Sequence, residues 1–265
     1  MRRPPFTPFR SGAPRFLPAL APIDLAFWLA PDSEAHVLDW KSGLLDRPGA
    51  VFRQAEDAAP AAEEAACAVE AALGVSRSGD LLSASRLVSD DLVVMEREAG
   101  AWVCTALTLT APTFFAIDAV HRRDLAALHG PVPDGGRLAG RIGRVFDHVR
   151  AGQVLERFNW TLQPGAERHA PDAAPLRAAA QAADPAQALD FLHLRVERQT
   201  IRRLPQTGAV LFTIRVCLDP VAAIAPADRP ALAEAWRTLG PRGRAYKGWP
   251  ALDRLTEAAF GRWDV

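Results

Sequence analysis

The residues most able to do chemistry lie in two apolar stretches that also carry charge. In residues 194–216, LRVERQTIRRLPQTGAVLFTIRV, charged and polar side chains occupy both odd and even positions of a predicted hairpin. They are Arg195, Glu197, Arg198, Gln199, Arg202 and Arg203. Because a buried carboxylate is costly unless it is paired, we expect Glu197 to contact Arg157, Arg198 or Arg202. The charges then form either a structural ion-pair network or the polarised wall of a pocket.

A second polar face is predicted in residues 154–164, VLERFNWTLQP. Alternation along a strand places Arg157, Asn159 and Thr161 on one face and the apolar residues between them on the other. Facing a cavity, the three polar side chains would suit a bound oxygen molecule or an anion. Facing water, they would be the exposed side of a half-buried sheet. The sequence leaves both interpretations open.

His129 is the best candidate for a metal ligand. It ends a predicted helix over residues 122–129, directly before the helix-breaking segment GPVP. A metal site built from protein alone needs several ligands, so a single histidine at this position is more often a helix cap. Haem changes that comparison, because the porphyrin supplies four nitrogens and one axial histidine suffices. The alternative ligands are His193, His121 and a thiolate of Cys104 or Cys217.

The surrounding patterns predict the elements that position these residues. Helices are expected over 59–73, ending at Gly74, over 137–152, and within a helical pattern that runs from Pro112 to His129. Strands are expected on either side of a turn at 98–100, over 154–164, and over 194–204 and 209–218. Two further helices begin near Asp228 and Pro250. This order predicts an α+β fold in which an antiparallel sheet carries helices on one face.

Composition narrows the classes of function. The chain has 31 basic and 31 acidic residues, and this zero net charge argues against a nucleic-acid partner. The three cysteines, Cys67, Cys104 and Cys217, lack C-x-x-C spacing. That argues against a disulfide framework, a protein-built iron–sulfur cluster or a zinc site, and it favours a cytoplasmic location. The longest uncharged run, residues 101–117, is too short to span a membrane.

Four segments together resemble the haem-dependent oxidative N-demethylase family. They are DDLVVMER at 90–97, LHGPVP at 128–133, ERFNW at 156–160 and RVERQTIRRLPQTGAVLFTIR at 195–215. The resemblance implies a haem b in a PAS-like cleft, an axial histidine from the helical side and a distal wall from the last three strands. It implies that a small secondary amine such as dimethylamine is oxidised with O2 and that formaldehyde is released. FMN, a 2Fe-2S cluster and tetrahydrofolate are then expected only on partner subunits, among them a flavin/iron–sulfur reductase.

This resemblance gives each candidate residue a role. His129 becomes the metal ligand. The catalytic candidates are Glu197, Asn159 and Gln199, and the other cofactor-binding candidates are Arg198, Arg202, Trp160 and Thr213. Alternation alone does not decide whether Glu197 or Arg198 faces the pocket.

The chain is divided accordingly into three segments. We expect an N-terminal arm and helical extension over residues 1–84, a PAS-like haem-binding core over 85–220, and a C-terminal helical extension over 221–265 packed on that core. Two other interpretations compete with the enzyme: a non-catalytic haem sensor of gas or redox state, and a haem-free subunit of a larger complex.

Overall fold

A single antiparallel sheet organises the computed structural model, which describes residues 3–29, 35–75 and 79–265. Its strands among the described residues are β1 (Ala21–Ile23), β2 (Phe52–Gln54), β3 (Asp91–Glu98), β4 (Ala101–Thr108), β5 (Val154–Pro164), β6 (Leu192–Arg203) and β7 (Val210–Pro220). They lie in the order β1-β5-β6-β7-β3-β4-β2. The five long strands therefore form the centre, and the two three-residue strands are edges.

Turn residues fix the two hairpins where the sequence predicted them. Between β3 and β4, Ala99 and Gly100 both have positive φ, at 46° and 86°, as a tight two-residue hairpin turn requires. Between β6 and β7 the turn contains Gly208 at φ 74°. The Glu64 carboxylate accepts hydrogen bonds from the backbone N–H groups of Gln206 and Thr207. A buried acid on a distant helix thus holds this turn in place.

The helices agree with the predicted pattern in most places. They are α1 (Ala35–Leu45), α2 (Ala59–Leu73), α3 (Leu81–Ser85), α4 (Leu125–His129), α5 (Gly135–His148), α6 (Ala174–Ala182), α7 (Ala188–Phe191), α8 (Arg229–Thr238), α9 (Pro241–Tyr246) and α10 (Asp253–Gly261). Helix α2 ends at Gly74, which is left-handed at φ 68°, as predicted. No described helix combines the length and apolar character needed to cross a membrane.

The α+β prediction is confirmed, but the helices cover both faces of the sheet rather than one. Helices α2 and α3 pack against Val94 and Leu211, whereas α5 packs on the other face against Val93 and Met95. The reason lies in β3, whose first five residues are all buried. A sheet that is apolar on both faces must be covered twice.

The N-terminal and C-terminal segments meet over β5. Phe9 is buried in the same hydrophobic cluster as Trp160 and the C-terminal helices. In this cluster Trp249 stacks on Trp236 with ring centroids 4.0 Å apart, and its other neighbour is Trp160 at 5.4 Å. The Trp249 indole also donates a hydrogen bond to the Thr161 hydroxyl at 2.8 Å. Residues 247–249 are thereby held against the strand that carries Asn159.

Candidate functional site

The register of β5 with β6 decides which polar side chains share a face. Arg157 is opposite Gln199, and Asn159 is opposite Glu197. These four therefore point to the same side of the sheet, the side covered by α4 and α5. With Thr113, Arg195 and Lys247 they form what we call the Glu197 cluster.

Glu197 is the centre of this cluster. It is 8% exposed, and its Oε1 accepts a hydrogen bond from the Thr113 hydroxyl at 2.6 Å. Its Oε2 accepts from Gln199 Nε2 at 2.8 Å and from Asn159 Nδ2 at 3.2 Å. Burial alone would raise the pKa of Glu197, but the charge of Arg195 and the hydrogen bonds from Thr113 and Asn159 lower it below its ordinary value. The group is therefore a carboxylate at neutral pH.

Lys247 fixes the orientation of the Asn159 amide. Its Nζ donates to Asn159 Oδ1 at 3.1 Å and to the Trp160 carbonyl at 3.0 Å. An ammonium group only donates and a carboxylate only accepts, so the amide must turn its oxygen to Lys247 and its nitrogen to Glu197. Burial lowers the pKa of Lys247 to about 8, although the charge of Glu197 acts against that shift.

Arg195 and Asp91 bring Thr113 to the carboxylate. The Arg195 guanidinium is buried and donates to the Thr113 hydroxyl at 3.1 Å and to the Ala111 carbonyl at 2.7 Å. The Asp91 carboxylate accepts from the backbone N–H groups of Thr110 and Ala111. The buried charges of Asp91 and Arg195 thus bind the backbone of residues 110–112, Asp91 through N–H groups and Arg195 through carbonyl oxygens.

The segment after residue 112 is not the predicted helix, because its backbone pairs with other parts of the fold: the Phe114 N–H donates to the Ala170 carbonyl and the Arg122 N–H to the Cys104 carbonyl. Much of the stretch between Pro112 and His129 is irregular, and α4 begins only at Leu125, where Asp124 caps its N-terminus. Phe114 has φ 68°, which is uncommon for a bulky side chain. The backbone groups of residues 110–112 are bound by buried charges, which offer an alternative to helical hydrogen bonds.

His129 ends α4 as a neutral imidazole. Its Nδ1 lies 2.8 Å from the Leu125 carbonyl, which only accepts, so Nδ1 carries the proton and the lone pair is on Nε2. Burial lowers the pKa of His129, and the nearby positive charge of Arg157 lowers it further, against the effect of the Leu125 hydrogen bond. This is the state that a histidine ligand needs, with its second nitrogen oriented by a backbone acceptor.

Gly135 fixes the turn that holds His129. A Cβ at this position would lie 1.9 Å from the His129 carbonyl oxygen, so the backbone of α5 passes directly against residue 129. The preceding Asp134 is left-handed at φ 56°. The predicted GPVP stop therefore continues into a tight turn in which only glycine fits at position 135.

A first prediction follows from this contact. Gly135→Ala should displace the His129 turn, lower the free energy of unfolding by about 1–3 kcal/mol through overpacking, and impair haem retention. The control is Gly136→Ala, because a Cβ there meets nothing within 4 Å. Thermal melts and the haem-to-protein absorbance ratio of both variants would be measured. Equal haem retention by the two variants would contradict the role given to Gly135.

The other predicted ligands are less suitable. His193 has its Nδ1 3.1 Å from the Phe191 carbonyl, and burial lowers its pKa too, so it shares the electronic state of His129. It lies at the far end of β6, opposite Gln163 rather than Arg157. Burial raises the pKa of the Cys104 thiol to about 12, which disfavours a thiolate ligand. Cys217 is buried in the hydrophobic cluster around Trp160.

Arg198 and Arg202, assigned to the cofactor on sequence, lie on the opposite face from His129. Arg198 pairs with Glu156 and donates to the Trp28 carbonyl at 2.7 Å. The Arg202 guanidinium lies 4.4 Å from the centroid of the Trp28 ring. Both therefore contact the N-terminal segment, and of the neighbours Glu197 and Arg198 it is Glu197 that lies on the same face as His129.

Trp160 and Thr213 also face away from His129. Trp160 is buried among the C-terminal helices beside Trp249. The Thr213 hydroxyl shares a hydrogen bond of 2.7 Å with Thr200. Of the residues assigned on sequence, the structure brings together Glu197, Asn159 and Gln199 with the helix that carries His129. The other four residues lie on the opposite face of the sheet.

Sequence reasoning gave no role to Lys247, Arg195 or Thr113. Lys247 had one detectable signal, since it is one of only two lysines among 31 basic residues. Within residues 3–29, 35–75 and 79–265, no three His, Cys, Asp or Glu side chains are grouped to hold a metal ion. A cofactor that brings its own nitrogens would need only one protein ligand.

Comparison with known proteins supplies the family. The family model described as haem-dependent oxidative N-demethylase, alpha subunit-like, matches residues 58–255. The matched residues include α4, every residue of the Glu197 cluster, Lys247 among them, and the C-terminal helices α8 and α9. A comparison with curated proteins found no match. Because the family model covers well over half of the 265 residues, the chain belongs to the haem-dependent oxidative N-demethylase alpha subunit-like family.

Proposed function

We propose that this protein carries out haem-dependent oxidative N-demethylation of a small secondary amine, of the dimethylamine type, with O2 as oxidant and formaldehyde as a product. The observation that carries the proposal is the pairing of two groups across one face of the sheet. His129 offers a neutral imidazole whose Nε2 makes no hydrogen bond to the residues described, and Glu197 offers a carboxylate held by three neutral donors. Membership of the family supports the same reaction class.

The residues present fit a haem group. His129 has the protonation state and the oriented second nitrogen of an axial ligand. Arg157 has a buried Nε without a hydrogen-bond partner among the described residues, so this side of the site has a donor to offer to a bound molecule. When bound, haem would supply the redox chemistry with O2 that no amino-acid side chain provides.

Glu197 would bind and orient the amine. After its hydrogen bonds from Thr113, Gln199 and Asn159, the carboxylate has about one lone-pair site left. That site suits one N–H of a secondary amine, which would fix the direction of its N-methyl group. Since the three protein donors already hold both oxygens in place, the carboxylate needs little reorganisation on binding.

Electrons for the reaction would come from a partner. We propose a reductase subunit carrying FMN and a 2Fe-2S cluster, and a partner site for tetrahydrofolate that accepts the formaldehyde. The name of the family, alpha subunit-like, supports partner subunits in general. The order β4-β3-β7-β6-β5 of the five long strands, with β7, the last of them in sequence, at the centre, supports a PAS-like core. In the described part of the chain the three cysteines form no disulfide, which supports a cytoplasmic location.

Two measurements test the proposal. Protein reconstituted with haem should show a Soret band with the features of an axial histidine. After chemical reduction, exposure to O2 and dimethylamine should yield formaldehyde in proportion to the amine consumed. Absence of the Soret band would favour a haem-free subunit, and haem binding without any formaldehyde would favour a sensor. Either result would overturn the enzyme proposal.

A second prediction concerns pH and Lys247. Because Lys247 is an ammonium only below its pKa of about 8, its positive charge beside Asn159 and Glu197 is lost as pH rises through that value. We expect kcat/KM to fall across this step, and Lys247→Met to remove the step and leave a rate about 10- to 100-fold lower at neutral pH. The pH profiles of the two proteins, with their melting temperatures, check this. A step that persists in the variant would assign it to another group.

A further inference from the structure

Arg157 has a guanidinium nitrogen that is buried without a hydrogen-bond partner among the described residues. It is half-buried on β5, and its Nε is buried and makes no hydrogen bond to any described residue. Burial lowers the pKa of Arg157, although the charge of Glu197 acts against that shift. A buried guanidinium nitrogen without an acceptor is unfavourable for folding. A bound ligand that supplies the acceptor would offset this unfavourable burial.

The charges around Arg157 indicate the sign of the charge that this ligand carries. The Glu197 cluster contains three cations, Arg157, Arg195 and Lys247, and one carboxylate. Arg195 donates its hydrogen bonds to neutral oxygens of Thr113, Gln163, Ala111 and Pro112. Lys247 donates to neutral oxygens of Asn159 and Trp160.

The charges next to the cluster do not cancel its net positive charge. Asp91 and Arg168 both act on Arg195, and their opposite charges offset one another. The positive excess of the cluster therefore remains, and it favours an anion over a second cation.

The position of Arg157 further narrows the chemical class of the ligand. Its charge acts both on His129, at the end of α4, and on Glu197, on the neighbouring strand. The planar fork of a guanidinium matches the two oxygens of a carboxylate. We propose that Arg157 binds a carboxylate of a molecule held between His129 and Glu197, an inference that rests on the function proposed above.

Two molecules proposed to bind between His129 and Glu197 carry a carboxylate. One is haem itself, through a propionate. The other is a substrate that is both a secondary amine and an acid, such as an N-methyl amino acid. Its N–H would meet Glu197 while its carboxylate meets Arg157. The shared chemistry is a carboxylate on Arg157, and the two sources are separable by experiment.

The variant Arg157→Gln removes the charge, and Arg144→Gln is its control. Arg144 is exposed on α5, so the control makes the same change of net charge away from the cluster. Because the Arg157 Nε has no hydrogen bond to lose, Arg157→Gln should melt at or above the wild-type temperature. A folded variant therefore makes the binding measurements interpretable.

The first pair of probes is metal-free protoporphyrin IX and its dimethyl ester, which exclude any contribution from an iron–His129 bond. If the carboxylate is a propionate, the wild-type protein and Arg144→Gln should bind the diacid about 10- to 100-fold more tightly than the ester. Arg157→Gln should bind both equally. Porphyrin fluorescence gives the affinities.

The second pair is N-methylglycine and dimethylamine, titrated by calorimetry into the haem-loaded protein. If the carboxylate belongs to the substrate, Arg157→Gln should weaken the binding of N-methylglycine about 10- to 100-fold and leave the binding of dimethylamine unchanged. If Arg157→Gln matches the wild type with both pairs of probes, the proposal is overturned.

Failure of the proposed function would look different. If the wild-type protein retains no haem, N-methylglycine would be titrated into the protein as purified. If it retains haem but forms no formaldehyde, both pairs of probes are used unchanged. The porphyrin measurements do not depend on iron and would still report on Arg157.

Discussion

Replacing His129 with alanine should abolish stoichiometric haem retention while leaving the fold intact. His129 is half-buried at the end of a five-residue helix, and its side chain makes one hydrogen bond within the part of the chain that the structure describes, to Leu125. Its removal therefore costs little stability, and we expect a loss of about 1 kcal/mol or less. An axial ligand has no substitute in the bond to iron, so the effect on haem should be near complete. The Soret absorbance per protein and far-ultraviolet circular dichroism measure the two properties.

His148→Ala is the matched control for this experiment. His148 ends α5 and has its Nδ1 2.7 Å from the Arg144 carbonyl, in the same relation as His129 to Leu125, but it is exposed. It should retain haem fully. An unchanged axial-histidine spectrum in His129→Ala would contradict the assignment, and the ligand would then be sought at His193 or His121.

Replacing Glu197 with glutamine should give a folded, haem-replete protein whose turnover is at least about 100-fold lower, since a positioned proton acceptor typically contributes 10²–10⁴-fold. Glutamine keeps the shape of the side chain. It removes the negative charge that faces Arg195 and Lys247, and it offers the amine a weaker acceptor. Formaldehyde release under single-turnover conditions, together with the haem-to-protein ratio, separates loss of chemistry from loss of cofactor.

Stability and pH distinguish this role from a purely structural one. The pKa of Glu197 is below its ordinary value of 4.5. Its stabilising effect is therefore present above pH 4.5 and is lost as pH falls through the lower pKa of the folded protein. The difference in melting temperature between wild type and Glu197→Gln should shrink in that acidic range.

The control for the charge change is Glu156→Gln. Glu156 pairs with Arg198 on the other face of the sheet, so this variant should lose stability and keep turnover. A Glu197→Gln protein that unfolds readily and yet turns over at the wild-type rate per folded molecule would show that its carboxylate serves only the fold.

The long elements were predictable from local pattern, because their signals are local. Gly74 ends α2 where a left-handed residue was expected, and alternation in VLERFNWTLQP gave β5 its observed bounds. The face of each strand residue was not predictable in the same way. Glu197 and Arg198 are neighbours that both carry a charge, of opposite sign, and only the pairing of β6 with β5 and the helices above them places Glu197 on the face of His129.

The rest of the site depends on contacts between distant parts of the chain. Lys247 reaches Asn159 across 88 positions of sequence, and Thr113 reaches Glu197 across 84. The predicted helix begins at Pro112, yet the buried charges of Asp91 and Arg195 bind the backbone directly at and before this start. No window of neighbouring residues contains that competition, which is why Arg195 and Thr113 received no role from the sequence.

The stacked indoles of Trp236 and Trp249 have a practical consequence. Two transition dipoles at a centroid separation of 4.0 Å and an interplanar angle of 15° should couple as excitons and split the indole band in the ultraviolet dichroism of the native protein. Since Trp249 directly follows the loop that carries Lys247, the couplet would be a label-free optical reporter of whether that loop remains seated on its strand.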